Sequence, residues 1–245
     1  MSVIIKNEAV VLKKTKFSDS SLIVQFYTRE NGKISAIIKG ARSSKSKIGS
    51  KIDTLNQVEI VFYKKEGKDL QLVTQVNLIE HFPKLKEDLD KIKYASSIAE
   101  LLLQLLPEQE VNDKLFRGTV KLFSLLNASE KNPLLLFTQY LIFFTKEIGY
   151  ELSFEHCSNC SNLISDNSGN GFNYSDGIIC KNCVESTLTT FQLSEELFNL
   201  FKCLSTKRKL MIINSQHLEN IIFILEKFLI YHNPDFKGLK SLKYL

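Results

Sequence analysis

Leu22-Ile23-Val24-Gln25-Phe26-Tyr27-Thr28-Arg29-Glu30-Asn31-Gly32-Lys33-Ile34-Ser35-Ala36-Ile37-Ile38 reads as a β-hairpin. Leu22, Val24 and Phe26 alternate with Ile23, Gln25 and Tyr27, the two-residue period of a strand. Asn31-Gly32 is a strong turn signal, because both residue types tolerate positive φ, and Ile34, Ala36 and Ile38 resume the alternation beyond it. Working outward, Glu8–Lys14 gives an earlier strand and Val58, Ile60 and Phe62 a later one. A turn at Glu66-Gly67 then leads into Leu70, Leu72, Thr74 and Val76. Five short strands in about 75 residues, with a long connection after the third, suit a small closed barrel of OB-fold type, a frequent nucleic-acid binder.

That long connection is basic. Between Glu30 and Asp53 lie Lys33, Lys39, Arg42, Lys45, Lys47 and Lys51, with no acidic residue among them. Residues 1–80 hold 14 Lys+Arg against 8 Asp+Glu, a net +6, so the rest of the chain carries −1 of the total +5. One reading is an electrostatic footprint for a polyanion; the other is a solvated lysine-rich loop. Gly40 and Gly49 let the backbone turn, and Ser43, Ser44 and Ser46 add hydroxyl donors, a mixture suited to phosphate oxygens rather than base edges. With 28 lysines to 4 arginines, bidentate guanine readout is scarce, so sequence-independent, salt-sensitive binding is expected. Alternation places Phe26 and Phe62 in the core set with Leu22, Val24 and Ile60. Tyr27 and Tyr63 are left as candidates for base stacking, with core packing as the competing reading.

Beyond Pro83 the apolar period is helical. Leu85 to Leu106 reads as one helix ended by Pro107, and a second spans about Val111 to Leu126. A third, Leu134 to Ile148, has Asn132 as N-cap, Pro133 at its first position and Gly149 beyond its end, and is apolar on nearly all sides. Ser194–Leu204 and Ser215–Tyr231 make two more. The expected class is α+β, with an OB-fold domain at 1–80 and an α-helical domain at 81–245.

Within the helical part, Cys157-x-x-Cys160 and Cys180-x-x-Cys183 carry the most specific local signal. Two such knuckles complete the tetrahedron that Zn²⁺ prefers, and the turn-rich stretch between them has too few apolar residues for its own core. One structural zinc is therefore expected in an insert at 154–187, with His156 as a substitute ligand and a thiol-redox pair as the rival reading. Cys203 falls on an apolar helical pattern and is expected to be a core thiol.

A composition of 44% apolar and 24% charged residues excludes wholesale disorder. No signal peptide opens the chain and no apolar run approaches the roughly 20 residues of a membrane span, so a cytoplasmic location is expected. No Walker loop, HExxH, GxSxG or GxGxxG motif occurs, and nothing in the sequence asks for an enzyme.

In order, the chain carries Ala9-Val10-Val11-Leu12-Lys13, Phe26 to Ala36, Lys39-Gly40-Ala41-Arg42, Ser44-Lys45-Ser46, the two cysteine pairs and the tail Leu239 to Leu245. Together these resemble the RecO family of bacterial DNA repair and recombination mediators, nearly end to end. The resemblance implies binding of single- and double-stranded DNA through the OB-fold and annealing of complementary strands. It also implies pairing with RecR and contact with the C-terminal tail of single-strand-binding protein, so that RecA loads on coated DNA in the nucleoid. In the family the basic stretch often reads K-G-A-R-R; here Ser43 replaces the second arginine, leaving Lys45 and Lys47 to compensate. Some members lack the cysteines, so the metal is not expected to perform the shared activity. Lys121, Lys202, Lys207, Arg208 and Lys209 are the cations available for an acidic tail. Two other classes stand beside this reading: a zinc-stabilised protein-interaction module whose barrel is only a scaffold, and a zinc-dependent hydrolase.

Overall fold

Strand formation in the first 80 residues follows the alternation closely. A computed structural model of the protein describes residues 2–43, 45–65, 67–128, 130–164, 168–185, 190–206 and 213–244. The strands are β1 (Ser2–Phe17), β2 (Ser21–Thr28), β3 (Gly32–Ile38), β4 (Gln57–Lys65) and β5 (Leu70–Glu80). They close into a barrel in the order β1-β2-β3-β5-β4, with β1 paired antiparallel to β4 and β3 paired parallel to β5. This is the OB-type arrangement expected. Val24, Phe26, Ala36, Ile60 and Phe62 fill the barrel together with Val73 and Val76. β1 is longer than the seven-residue strand expected, because its ends serve two partners: Ser2 to Val10 pair with β4, and Ala9 to Phe17 pair with β2.

Helices follow: α1 (Pro83–Glu87), α2 (Leu89–Leu105), α3 (Asp113–Ala128) and α4 (Pro133–Glu147). The first two were expected as one. Asp88 separates them, adopting an extended backbone and accepting hydrogen bonds from the N–H groups of Asp90 and Lys91 as the cap of α2. Asn132 caps α4 as expected, accepting from the Leu134 N–H at 2.9 Å. The cysteine region contributes β6 (Gly171–Asn173), β7 (Gly177–Ile179), α5 (Lys181–Val184) and β8 (Thr190–Gln192), ordered β7-β6-β8. Then come α6 (Glu195–Thr206), α7 (Ser215–His232) and α8 (Ser241–Tyr244). α7 is capped by Asn214, one residue before the serine expected to open it. No helix among the described residues is long and apolar enough to cross a membrane.

Two compact units result: Met1–Glu130 with Lys240–Leu245, and Lys131–Leu239. Helices α1 to α3 thus belong with the barrel. Hydrogen bonds tie this segment to it, among them one from the Lys33 ammonium to the Leu103 carbonyl of α2 at 2.7 Å and one from the Gln109 N–H, in the α2–α3 connection, to the Lys33 carbonyl at 2.9 Å. In the second unit, α4 packs on α6 and α7. Its core includes Phe137, Phe144, Phe198, Phe201 and Leu225, all nearly or wholly buried.

Candidate nucleic-acid interface and metal centre

The 39–56 connection departs from β3 at Lys39 and re-enters the barrel at β4. Three apolar residues fix its course: Ala41 and Ile52 are buried in the barrel core, and Ile48 packs against it. Gly49 passes so close to Ala41 that a Cβ would meet the Ala41 carbonyl oxygen at 2.8 Å. Lys39, Arg42, Lys45 and Lys47, which lie before and between these pegs, are all exposed. The connection therefore presents four cations from a pinned backbone, which reduces the ordering cost of an ionic contact.

Arg42 also joins the connection to the β1–β2 turn. Its N–H donates to the Ser20 carbonyl at 2.9 Å, and its guanidinium donates to the Ser18 carbonyl at 3.0 Å. That hairpin carries Lys13, Lys14 and Lys16, all exposed. The expected strand Glu8–Lys14 includes Lys13 and Lys14 and stops short of Lys16, although Lys13-Lys14-Thr15-Lys16 already breaks the apolar alternation. Lys14 is paired with Asp53, which leaves Lys13 and Lys16 to extend the basic surface.

Two of the expected lysines are engaged elsewhere. Lys33 is buried, bonded to the Leu103 carbonyl, and 3.5 Å from the Glu108 carboxylate. Lys51 is half-buried, and its ammonium donates to the Val76 carbonyl at 2.9 Å. Tyr27 is corrected as well. It does leave the barrel core set, but α3 covers that side, so the ring is 0% exposed, lies 5.9 Å from the Phe116 ring and donates its hydroxyl to the Asn112 carbonyl. A tyrosine sealed in this way cannot stack on a base. Tyr63 is half-buried on β4, opposite Ile4 and Leu72. Phe26 and Phe62 are buried in the barrel, as the alternation implied.

In the second unit the two cysteine pairs meet. Ligand atoms of Cys157, Cys160, Cys180 and Cys183 all lie within 4.8 Å of one another. The Cys160 and Cys180 sulfurs are 3.7 Å apart. A tetrahedron with metal–sulfur bonds of about 2.3 Å has an edge of about 3.8 Å, so the Cys160–Cys180 separation matches such an edge and the cluster as a whole is of the size a tetrahedral metal needs. Local turns make the knuckles. The Ser161 N–H donates to the Cys157 carbonyl at 2.9 Å, with Ser161 at φ 61°, and the Cys183 N–H donates to the Cys180 carbonyl at 2.9 Å. Burial opposes ionisation of Cys157, yet backbone N–H groups of Cys160, Cys180 and Asn159 bring its thiol down to about 6. Burial pushes Cys183 up to about 12, and the other three sulfurs add to the rise. Those neighbouring sulfurs would be neutralised by a cation at the centre.

Among the described residues, Ile179 and the partly buried Ile164 and Val184 pack around these sulfurs. Phe172 of β6 instead stacks toward Phe201 of α6 at 6.3 Å and meets Phe228 of α7 edge-on at 5.5 Å. His156 is exposed and lies outside the sulfur cluster. Cys203 is half-buried rather than in the core. Lys202 sits over the Phe198 ring at 5.7 Å and Lys121 is exposed. Lys207, Arg208 and Lys209 lie outside the described residues, as do Ser44, Glu66 and Leu245 from the motifs above and Asp166 and Asn167 of the turn-rich stretch between the cysteine pairs.

The family models decide the lineage. Residues 1–82 match the Recombination protein O N-terminal model, and residues 86–243 match the corresponding C-terminal model. This chain belongs to the Recombination protein O family. The DNA repair protein RecO of Clostridium novyi is 28% identical over 99% of this chain and 94% of its own length. The RecO protein of Pelotomaculum thermopropionicum is 28% identical over 98% and 93%. The chain spans 59% of the RecO protein of Chlorobium limicola, at 34% identity over 63% of its own residues. The two Recombination protein O models divide between residues 82 and 86, at the switch from strands to helices.

Proposed function

We propose that the protein binds single- and double-stranded DNA without sequence preference and anneals complementary strands, acting with RecR to load RecA onto DNA coated by single-strand-binding protein. The observation that carries this reading is the pinned, exposed set Lys39, Arg42, Lys45 and Lys47 on an OB-type barrel. Family membership supports it, because the relatives are DNA repair proteins by name. Annealing needs no bond chemistry. Lysine and arginine contacts neutralise the phosphates of two strands and release their counterions, and base pairing then supplies the free energy. The protein is on this reading a non-enzymatic mediator associated with the bacterial nucleoid. The metal is zinc, one per chain, with all four positions filled by sulfur. Its chemistry there is structural, since a closed four-thiolate site leaves no position for water.

The test is annealing of complementary oligonucleotides already coated with single-strand-binding protein, measured at two salt concentrations. Acceleration that weakens with salt is expected. Failure of the protein to retard naked oligonucleotides at low salt would overturn the reading.

A further inference from the structure

A cavity of about 750 Å³ lies within the first unit, lined by β1, β2, the 53–55 loop, α1, α2 and the C-terminal residues Lys240 and Ser241. Three lysines from three separate elements line it: Lys13, Lys86 and Lys240. Two carboxylates line it as well, and both are already engaged. Asp53 is paired with Lys14, while Glu100 accepts the backbone N–H groups of Lys240 at 3.1 Å and Ser241 at 3.0 Å. Among the described residues, none of the three lysines is in an ion pair. Lys86 is bonded to the side-chain oxygen of Asn56, a neutral amide. Burial holds its ammonium below the ordinary lysine value, against the pull of Asp53 and with the repulsion of Lys14. An anion entering the cavity would relieve that cost. The remaining wall is partly apolar, with Leu12, Leu55, Ile92 and Leu103.

We propose that this cavity binds a nucleotide through a terminal phosphate monoester, the phosphate held by Lys13, Lys86 and Lys240 and the base lying on the aliphatic wall. The volume is in the range of small-ligand sites, about 300–1,000 Å³. A phosphate monoester carries about −1.5 to −2 at neutral pH, which matches the positive excess left in the lining when Asp53 is set against Lys14 and Glu100 against one of the three lysines. The same chemistry has two sources, a free mononucleotide or the phosphorylated end of a bound strand. The strand-end source rests on the DNA-binding reading; the mononucleotide source does not.

Thymidine 5′-monophosphate titrated calorimetrically into the full-length protein tests the cavity, with thymidine as the control lacking phosphate. Saturable binding of the nucleotide is expected, weakened about tenfold or more in Lys86→Gln and in Lys240→Gln, as for loss of a charged hydrogen-bond partner. Lys45→Gln with Lys47→Gln should leave it unchanged. Absence of saturable binding, or equal binding by wild type and both cavity variants, would overturn the proposal. So would saturation by an acidic peptide that the nucleotide does not displace. Comparing 5′-phosphorylated with 5′-hydroxyl oligonucleotides then separates the sources. Tighter binding of the phosphorylated strand, lost in Lys240→Gln, assigns the site to DNA ends. Equal binding, with the mononucleotide still saturating, assigns it to free nucleotide. If no oligonucleotide binds while the mononucleotide does, the DNA reading fails and the cavity stands.

Discussion

The Lys33 ammonium donates a 2.7 Å hydrogen bond to the carbonyl of Leu103, 70 residues further along the chain. The lysine nearest the hairpin turn thus joins barrel to helix, whereas Lys39, Lys45 and Lys47 face solvent. Lys33→Ala should lower folding stability by about 1–3 kcal/mol, the usual cost of removing a charged partner from a buried acceptor. Denaturant unfolding reads this directly, and DNA affinity at equal folded concentration should be unchanged.

The exposed cations behave differently. Each of Lys39→Ala, Lys45→Ala and Lys47→Ala should leave the unfolding midpoint nearly unaltered, while Arg42→Ala also loses the guanidinium hydrogen bond to the Ser18 carbonyl and should lower it slightly. Each of the four should reduce the magnitude of the log-affinity against log-salt slope by about 0.7–0.9, one phosphate contact. A variant combining all four substitutions with an undiminished slope would move the phosphate contacts to another face.

Metal content should be about one zinc per chain by elemental analysis. Cys157→Ser, or extraction by a strong chelator, should lower the thermal midpoint and leave the barrel's own DNA affinity largely intact. Because thiolates are the ligands, acidification should release the metal and rising pH should retain it. Wild-type thermal stability in the metal-free protein would remove the structural role.

Gly32→Ala makes a purely steric prediction. Gly32 has φ 63°, and a Cβ there would lie 2.2 Å from the Glu110 carbonyl oxygen. The variant should be destabilised by several kcal/mol, more than strain at a single positive-φ residue costs, about 1–3 kcal/mol. An unfolding midpoint within error of wild type would mean that the Glu110 backbone yields.

Asp113 gives the acid limb. Its side chain accepts from Arg29 at 2.7 Å and pairs with Arg117 at 2.8 Å, and these contacts hold its carboxyl below the ordinary value. A folded-state value below the unfolded one contributes stability above the unfolded value and loses it as pH falls toward the folded one. Asp113→Asn should therefore be less stable than wild type near neutrality, by a small margin for so exposed a pair, and the difference should close in acid. Thermal midpoints across pH 3 to 7 would show the convergence.

The barrel was legible because its signal is local: alternation fixes each strand, and Asn31-Gly32 fixes a turn. The sulfur cluster was legible for the same reason, its four ligands arriving as two short knuckles. What escaped is long-range. Tyr27 alternates out of the barrel core, but only the packing of α3 decides that this outward side is covered. Lys33 belongs to a basic run by composition, yet its partner is a carbonyl of α2. Asp88 lay within a helical apolar pattern, and its capping of α2 depends on a backbone break that periodicity does not record. The cavity was invisible altogether, since its lysines are separated by most of the chain.

Glu100 holds the backbone of Lys240 and Ser241, residues that follow the whole of the second unit. The first unit is consequently interrupted by the second rather than followed by it. During synthesis the barrel strands and α1 to α3 emerge early, but one wall of the cavity reaches them only after residues 131–239 have been made. A nascent or prematurely stopped chain would own the basic connection without the finished cleft. The shape of the first-made unit is thereby finished only once residues 240 and 241 have followed the second unit.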